Sequence, residues 1–502
     1  MAPTESPSDN TCIVVLGASG DLAFKKTYPA LFGLYKFGFL PPSCQIVGYA
    51  RSEIELDDFK KRISSKMNAK DDSALLTSFL KMCYYVSGKY DQAASFERLN
   101  SFVLSLESKC SKAAKMNRIF YMALYVSAPN LTVDRPPSVF IPASAGIYDH
   151  VHSKSGHNRI VVEKPFGKDF DSSKDLSKAL ASRWGEDEIY RIDHYLGKEM
   201  VKNILTLRFA NVFFGAIWDR HHINNIQITF KEKIGTEGRG GYFDEFGIIR
   251  DIMQNHLFQI LTLIGMERPV SLDAEDIRNE KVKVLRCISP LTLDKVLLGQ
   301  YGKSADGKEP SYLDDPGVPK DSVTPTFAAA VFNIANERWD GVPFIVKCGK
   351  AMNEKKTEVR IQFADVPGSI FSGLSRNELV IRVQPDEAVY IKVMNKEPGL
   401  SSKPVISELD LNYNSRYSDA RIPDAYESLI LDMLKGEKSN FVRDDELDAA
   451  WKIFTPVLHE IENNKIKSEI YEFGSRGPAS LDQFIEVAGY RRTHGYVYKT
   501  KM

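Results

Sequence analysis

His256 falls on the apolar stripe of a helical pattern that also holds Ile249, Ile252, Met253, Leu257, Ile260, Leu261 and Ile264. A buried neutral imidazole with a carboxylate partner makes a good general base. An ordinary core histidine is the other reading of the same stripe. Asp251 lies five residues earlier and points about 140° away on an ideal α-helix, so the orienting carboxylate is expected from another segment. Ahead of this helix, Gly235-Thr236-Glu237-Gly238-Arg239-Gly240-Gly241-Tyr242-Phe243-Asp244 places four glycines in seven positions, a loop that permits close backbone approach. Arg191-Ile192-Asp193-His194-Tyr195-Leu196-Gly197-Lys198 gathers cations and a hydroxyl. On a helix His194 and Lys198 would share one face and, with Tyr195, suit a phosphate. A plain helix start capped by Asp193, with Lys198 in solvent, is the alternative. Gly197 so early in a helix hints at a close contact.

Two further stretches suit a dinucleotide. Cys12–Leu16 reads as a strand and runs into Gly17-Ala18-Ser19-Gly20-Asp21-Leu22-Ala23, a G-x-x-G-x-x-A turn before a helix. Glycines there let backbone N–H groups approach a pyrophosphate, and the helix N-terminus adds its dipole. A tight turn with no ligand is the competing reading. The next strand ends in Ala50-Arg51-Ser52. An NAD site would place an acid here for the ribose hydroxyls, whereas the Arg51 guanidinium suits a 2′-phosphate, favouring NADP. Lys25 and Lys26 follow the turn and read as phosphate-facing or as solvated. Glu163-Lys164-Pro165-Phe166-Gly167 follows another apolar strand. Lys164 would thus stand at a strand's carboxyl end, where open α/β sheets bind ligands, or be a surface turn lysine.

The elements behind these residues divide in two. Cys12–Leu16, Gln45–Ala50, Arg118–Leu124 and Arg159–Glu163 are continuous apolar runs alternating with helical patterns, which predicts a parallel sheet covered on both faces. From Asn224 onward, segments such as Glu358–Phe363 and Glu378–Val383 alternate with period two, which predicts an antiparallel sheet with one wet face. The polar stretch 302–320 reads as a surface excursion. The boundary is placed near Asp193. The 502 residues carry 66 Lys+Arg against 66 Asp+Glu. That balance argues against a nucleic-acid partner, and no run of about eighteen apolar residues suggests a membrane span. Six scattered cysteines without metal spacing point to no metal and to a reducing compartment. The polar first ten residues lack a signal-peptide layout, so a cytoplasmic location is expected.

Together the turn Gly17–Ala23, the motif Glu163–Gly167, the octapeptide Arg191–Lys198 and the run from Phe230 to Asp244 resemble eukaryotic glucose-6-phosphate 1-dehydrogenases over nearly the whole chain. The resemblance implies a Rossmann-like NADP-binding domain over 10–193. It also implies a substrate-binding and dimerisation domain over 194–502, built on a large, mainly antiparallel sheet with helices. It implies oxidation of glucose 6-phosphate to 6-phosphoglucono-1,5-lactone with hydride transfer to NADP, in a homodimer or homotetramer. Under it His256 is the general base and Asp193 its orienting carboxylate. Lys164, His194, Tyr195, Lys198, Glu232, Asp251, Lys350 and Lys355 would bind substrate. Gly17, Ala18, Ser19, Gly20, Asp21, Leu22, Ala23, Arg51 and Lys164 would bind coenzyme. A second NADP site would use Lys356, Arg360, Arg382, Gln384, Tyr390 and Lys392.

The chain also departs from the family pattern. Phe24 stands where a third lysine is usual, while Tyr498 and Arg492 replace aromatics of the second NADP site. Tyr125–Arg135 intervenes before Pro136-Pro137, which the family pattern places at the coenzyme. The insertion is a surface bulge, or it displaces that turn and weakens NADP binding. In the second case a catalytically impaired NADP-binding sensor on the same fold is the alternative function, against which the retained His256, Asp193 and Lys164 argue.

Overall fold

The computed structural model describes residues 10–41, 43–67, 72–110, 115–124 and 140–493. The insertion 125–135, Pro136-Pro137 and Tyr498 lie outside them. The chain forms two compact units. One comprises 1–197, 272–278 and 423–448; the other comprises 198–271, 279–422 and 449–502.

The first unit holds a six-stranded, fully parallel sheet. Its strands are β1 (Asn10–Leu16), β2 (Cys44–Ala50), β3 (Cys83–Ser87), β4 (Met116–Met122), β5 (Asn158–Glu163) and β6 (Ile189–Ile192), in the order β3-β2-β1-β4-β5-β6. This is the doubly wound order of dinucleotide-binding domains, with its switch point at β1. The central strands are apolar because helices cover both faces; every residue of β1 is buried. Strands β3 and β6 escaped the sequence pattern. The first is half-buried at the sheet edge, and the second is four residues long.

A later part of the chain completes this unit. The helix Ala425–Lys435 starts where the Asp424 side chain accepts from the Tyr426 N–H and stops at Gly436, φ 80°. Its Leu429, Ile430, Met433 and Leu434 enter the core beneath the sheet. Arg159 Nη1 donates to the Met433 and Leu434 carbonyls at its last turn.

The second unit is built on nine strands: β7 (Ile223–Lys231), β8 (Val296–Ser304), β9 (Phe327–Asn333), β10 (Pro343–Gly349), β11 (Lys356–Phe363), β12 (Glu378–Gln384), β13 (Ala388–Lys396), β14 (Pro404–Asn412) and β15 (Glu469–Phe473). Their order is β14-β13-β12-β11-β7-β10-β9-β8-β15. Only β7–β10 and β8–β15 pair in parallel. The expected wet face is drier than the alternation implied. Glu358, Gln362, Glu378 and Lys392 are buried because they satisfy one another and Arg360. Among the described residues no helix is long and apolar enough to cross a membrane.

Candidate active site

At the switch point, registers Leu16↔Tyr49 and Leu16↔Met122 bring the Gly17 turn between the carboxyl ends of β2 and β4. Gly17 has φ +75°, and a Cβ there would lie 2.3 Å from the Ala123 carbonyl oxygen, so only glycine fits. Its N–H donates to the Tyr49 carbonyl and to the Tyr90 hydroxyl, and Gly20 N–H closes the turn onto Gly17 O at 2.8 Å. Tyr90 had no signal in the sequence, since it lies 73 residues from its partner. The helix that follows opens with a π-turn, Ala23–Thr27, in which Tyr28 N–H reaches back five residues to Ala23 O. Such turns recur at functional sites. Arg51 directly follows β2 and is exposed, with no hydrogen bond or ion pair to other described residues. Lys25 pairs with Asp21 at 2.6 Å, and the Lys26 ammonium lies over the Tyr426 ring.

Lys164 follows the carboxyl end of β5, as the motif predicted. Its neighbour Glu163 is a site feature that sequence reasoning passed over. The Glu163 carboxylate is buried and accepts from the Tyr121 hydroxyl at 2.5 Å. Burial pushes its pKa up to about 7; Asp193 adds to the rise, while the Tyr121 hydrogen bond and Lys164 oppose it. Between the usual 4.5 and about 7 the folded state therefore holds a proton that the unfolded chain releases. The associated stability is present below that window and lost as pH rises through it. Glu163→Gln is accordingly expected to gain thermal stability relative to the parent protein as pH goes from acid to mildly alkaline, read as the two melting temperatures. A constant difference would contradict the assignment.

Asp193 is 2% exposed and caps the turn that follows it. One of its oxygens accepts from Tyr195 N–H at 2.9 Å. That turn, His194–Gly197, is a 3₁₀ turn, and Lys198 behind it is extended (φ −74°, ψ 137°) before the helix Glu199–Phe209. The single helix face expected for His194 and Lys198 therefore does not form. A close contact explains Gly197: a Cβ would lie 2.3 Å from the Ala425 carbonyl oxygen. On the same side the His194 ring stacks on Tyr426, 5.9 Å between centroids and 10° apart in plane.

In the second unit the chain brings Glu232, Asp251 and Lys350 together. Lys350 Nζ lies 2.6 Å from Glu232 Oε2 and 4.0 Å from Asp251 Oδ2, over the face of Phe243 at 5.3 Å. Burial alone would lower the lysine pKa, but the two carboxylates outweigh it and hold the ammonium charged. His256 is 1% exposed, in a π-helical stretch Ile249–Leu257. There Phe258 N–H reaches the Met253 carbonyl, five residues back. In i→i+5 winding, residues five apart stack on one face, so the 140° separation of Asp251 from His256 expected of an α-helix does not apply. Lys355 is exposed, with no hydrogen bond or ion pair to other described residues. Lys198 Nζ donates to Gln384 Oε1 at 2.7 Å.

Comparison with known proteins assigns both units. The family model "Glucose-6-phosphate dehydrogenase, NAD binding domain" matches residues 14–203, and "Glucose-6-phosphate dehydrogenase, C-terminal domain" matches 205–493. The chain belongs to the glucose-6-phosphate dehydrogenase family. It is 58% identical to glucose-6-phosphate 1-dehydrogenase of Emericella nidulans over 486 residues, 96% of this chain and 92% of that protein. It is 52% identical to cytoplasmic glucose-6-phosphate 1-dehydrogenase 5 of Arabidopsis thaliana over 497 residues, 97% of this chain and 93% of that protein. A solved glucose-6-phosphate dehydrogenase in complex with its substrate glucose-6-phosphate superimposes with TM-score 0.91 at 49% identity, covering 98% of this chain and all of that one.

The residues that the family resemblance assigned to a second NADP site separate into two groups. Lys356, Arg360 and Lys392 line a cavity of about 190 Å³ on the large sheet, with Lys231, Lys347 and Arg476. Gln384 instead holds Lys198 and donates to Thr357 Oγ1. Arg382 and Tyr390 lie on β12 and β13 beside this cavity, not among its lining residues. The cations are paired within the protein: Arg360 with Glu358 at 2.7 Å and Glu378 at 3.1 Å, and Lys392 with Glu378 at 2.6 Å. Burial would raise the Glu358 pKa, but Arg360, Lys356 and Arg382 bring it down to about 2. The Lys347 ammonium is pushed down to about 7 by burial and by Lys231 and Arg360.

Proposed function

We propose that His256 is the general base of a dehydrogenase whose sugar site is the Glu232–Lys350–Asp251 group. The protein oxidises glucose 6-phosphate to 6-phosphoglucono-1,5-lactone and reduces NADP to NADPH, the reaction of its family. The observation that carries the residue assignment is the Lys350 ammonium held by Glu232 and Asp251, with Asp251 on the His256 stretch itself.

In this reading His256 takes the proton of the anomeric hydroxyl, and Asp193 is its orienting carboxylate, as the family resemblance implies. Glu232 and Asp251 accept from sugar hydroxyls, and Lys350 and Lys355 hold the sugar from the same unit. Lys164, His194, Tyr195 and Lys198 neutralise and donate to the phosphate. The turn Gly17–Ala23 fits a pyrophosphate because Gly17 keeps the backbone bare, and Arg51 fits a 2′-phosphate because its guanidinium is exposed at the end of β2. NADP, when bound, accepts the hydride. The chain's own residues bind, orient and remove the proton.

Arg51→Ala is expected to erode the preference for NADP over NAD, measured as the ratio of kcat/KM values. An unchanged ratio would remove Arg51 from the 2′-phosphate. Catalysis itself is tested by the ultraviolet absorbance of NADPH in mixtures of protein, glucose 6-phosphate and NADP. Steady NADPH formation is expected. None, with coenzyme still bound, would favour the sensor.

A homodimer or homotetramer across the large sheet belongs to the same proposal. It is supported by the outer strand β14, which is nowhere fully buried and leaves Leu409 65% exposed. A second NADP in the cavity of β11 and β13 would meet Arg360 and Lys392 already paired with Glu358 and Glu378. A cytoplasmic location is supported by the cytoplasmic relative.

A further inference from the structure

The stretch 302–320 reads in the sequence as a plain surface excursion, yet it and the residues up to Thr324 grip the glycine-rich loop. Asp315 gathers that loop from one side. Its Oδ2 accepts from the Thr236 hydroxyl and from Gly238 N–H at 3.1 Å, and its Oδ1 accepts from Gly240 N–H at 3.3 Å. Gly240 admits this approach because a Cβ would lie 2.4 Å from Val318 Cγ2 and 2.7 Å from the Asp315 carboxyl carbon. The grip is returned at the start of the helix. Asp244 Oδ1 accepts from the Tyr312 hydroxyl at 2.7 Å and from the Ser322 hydroxyl at 2.5 Å, while the Asp244 carbonyl accepts from Thr324 Oγ1 at 3.0 Å.

These clamps connect to the sugar-site lysine through rings. Tyr312 is fully buried and meets Phe243 edge-on at 5.9 Å. The same Phe243 ring also lies under the Lys350 ammonium, 5.3 Å from its centroid. Tyr301, which accepts from Thr236 N–H at 3.1 Å, packs edge-on against Tyr312 at 5.7 Å. The loop tip, Glu237 (φ +47°), Gly238 and Arg239, is exposed even though the Gly238 N–H reaches Asp315.

We infer that the segment from Ser311 to Thr324 is a strap that sets the position of Lys350 and of the helix leading to His256, with Asp315 and Tyr312 as its positioning residues. Neither touches substrate. The inference rests on the reading that Glu232, Lys350 and Asp251 hold the sugar. It adds that their geometry depends on a carboxylate 79 residues downstream of Thr236.

The test compares the full-length protein with Asp315→Ala, Asp315→Asn and Tyr312→Phe. Three quantities are read: glucose 6-phosphate affinity by calorimetry, KM and kcat for both substrates, and hydrogen exchange of the Gly238 and Gly240 amides. Asp315→Ala is expected to speed exchange at both amides and to weaken glucose 6-phosphate binding and raise its KM about tenfold or more, with the NADP KM unchanged, since small misplacements of binding groups are costly. Asp315→Asn keeps one acceptor and should fall between. Tyr312→Phe keeps the ring on Phe243 and should show a smaller loss, which serves if the alanine variant does not fold. Faster amide exchange with unchanged sugar affinity would overturn the strap's positioning role. A parent protein that binds glucose 6-phosphate without turning it over would sink the catalytic reading, while the affinity ratios would still decide the strap. A parent protein that does not bind the sugar phosphate would overturn both.

Discussion

His256→Asn is expected to lower kcat by about 10²–10⁴-fold while leaving the affinity for glucose 6-phosphate nearly intact. A base positioned on the reacting hydroxyl contributes only where the proton moves, so its loss falls on the transition state and not on ground-state binding. His256 is suited to that task by where it sits. Its side chain is buried in a π-helical stretch and so is kept from bulk water. Asparagine preserves the approximate size and a polar end while abolishing proton uptake near neutral pH. A variant with unchanged kcat and a raised KM would show that His256 binds substrate and does not take its proton.

Lys350→Met is expected to raise the KM for glucose 6-phosphate about 10–100-fold, the loss of one or two charge-assisted hydrogen bonds. The ammonium does two things in the structure. It is the cation nearest to Glu232, at 2.6 Å, and it lies within 4.0 Å of Asp251. Without it two partly buried carboxylates face each other with no charge between them, and one takes up a proton more readily. The variant should therefore show an added acid-range dependence of KM on pH relative to the parent. The parent's lysine, its pKa raised, stays charged below the usual 10.5 and contributes no titration there. A KM that is unchanged at every pH would remove Lys350 from the sugar site.

Legibility in the sequence followed physical cause. Strands β1, β2, β4 and β5 could be read because burial on both faces forces continuous apolar runs. Strand β6 could not, since four residues carry no period. The membership of 272–278 and 423–448 in the first unit was invisible for another reason. The helix Ala425–Lys435 shows an apolar face, but nothing in that face names the sheet it covers.

The candidate site was legible in its residue types and less so in its geometry. His256, Lys164 and the Gly17 turn could be singled out by pattern, but the pattern alone left a core histidine, a surface lysine and an empty turn open. The spacing rules then misled twice, because both assumed α-helical winding. His194 and Lys198 are separated by a 3₁₀ turn and an extended residue, and Asp251 and His256 lie on π-helical winding. The buried acids Glu358 and Glu378 were hidden by an alternation that reads as a wet face. Asp315 was hidden by distance along the chain. Its partners are three members of a glycine loop, and a lone aspartate in a polar stretch carries no sign of them.

The central claim is that a hydride leaves the anomeric carbon for NADP as a proton leaves its hydroxyl. Glucose 6-phosphate deuterated at the anomeric carbon tests it most directly, with the isotope followed by NMR during turnover. The expected result is one deuterium in each NADPH formed and none in the solvent. Deuterium released to water, or NADPH formed without the isotope, would contradict it.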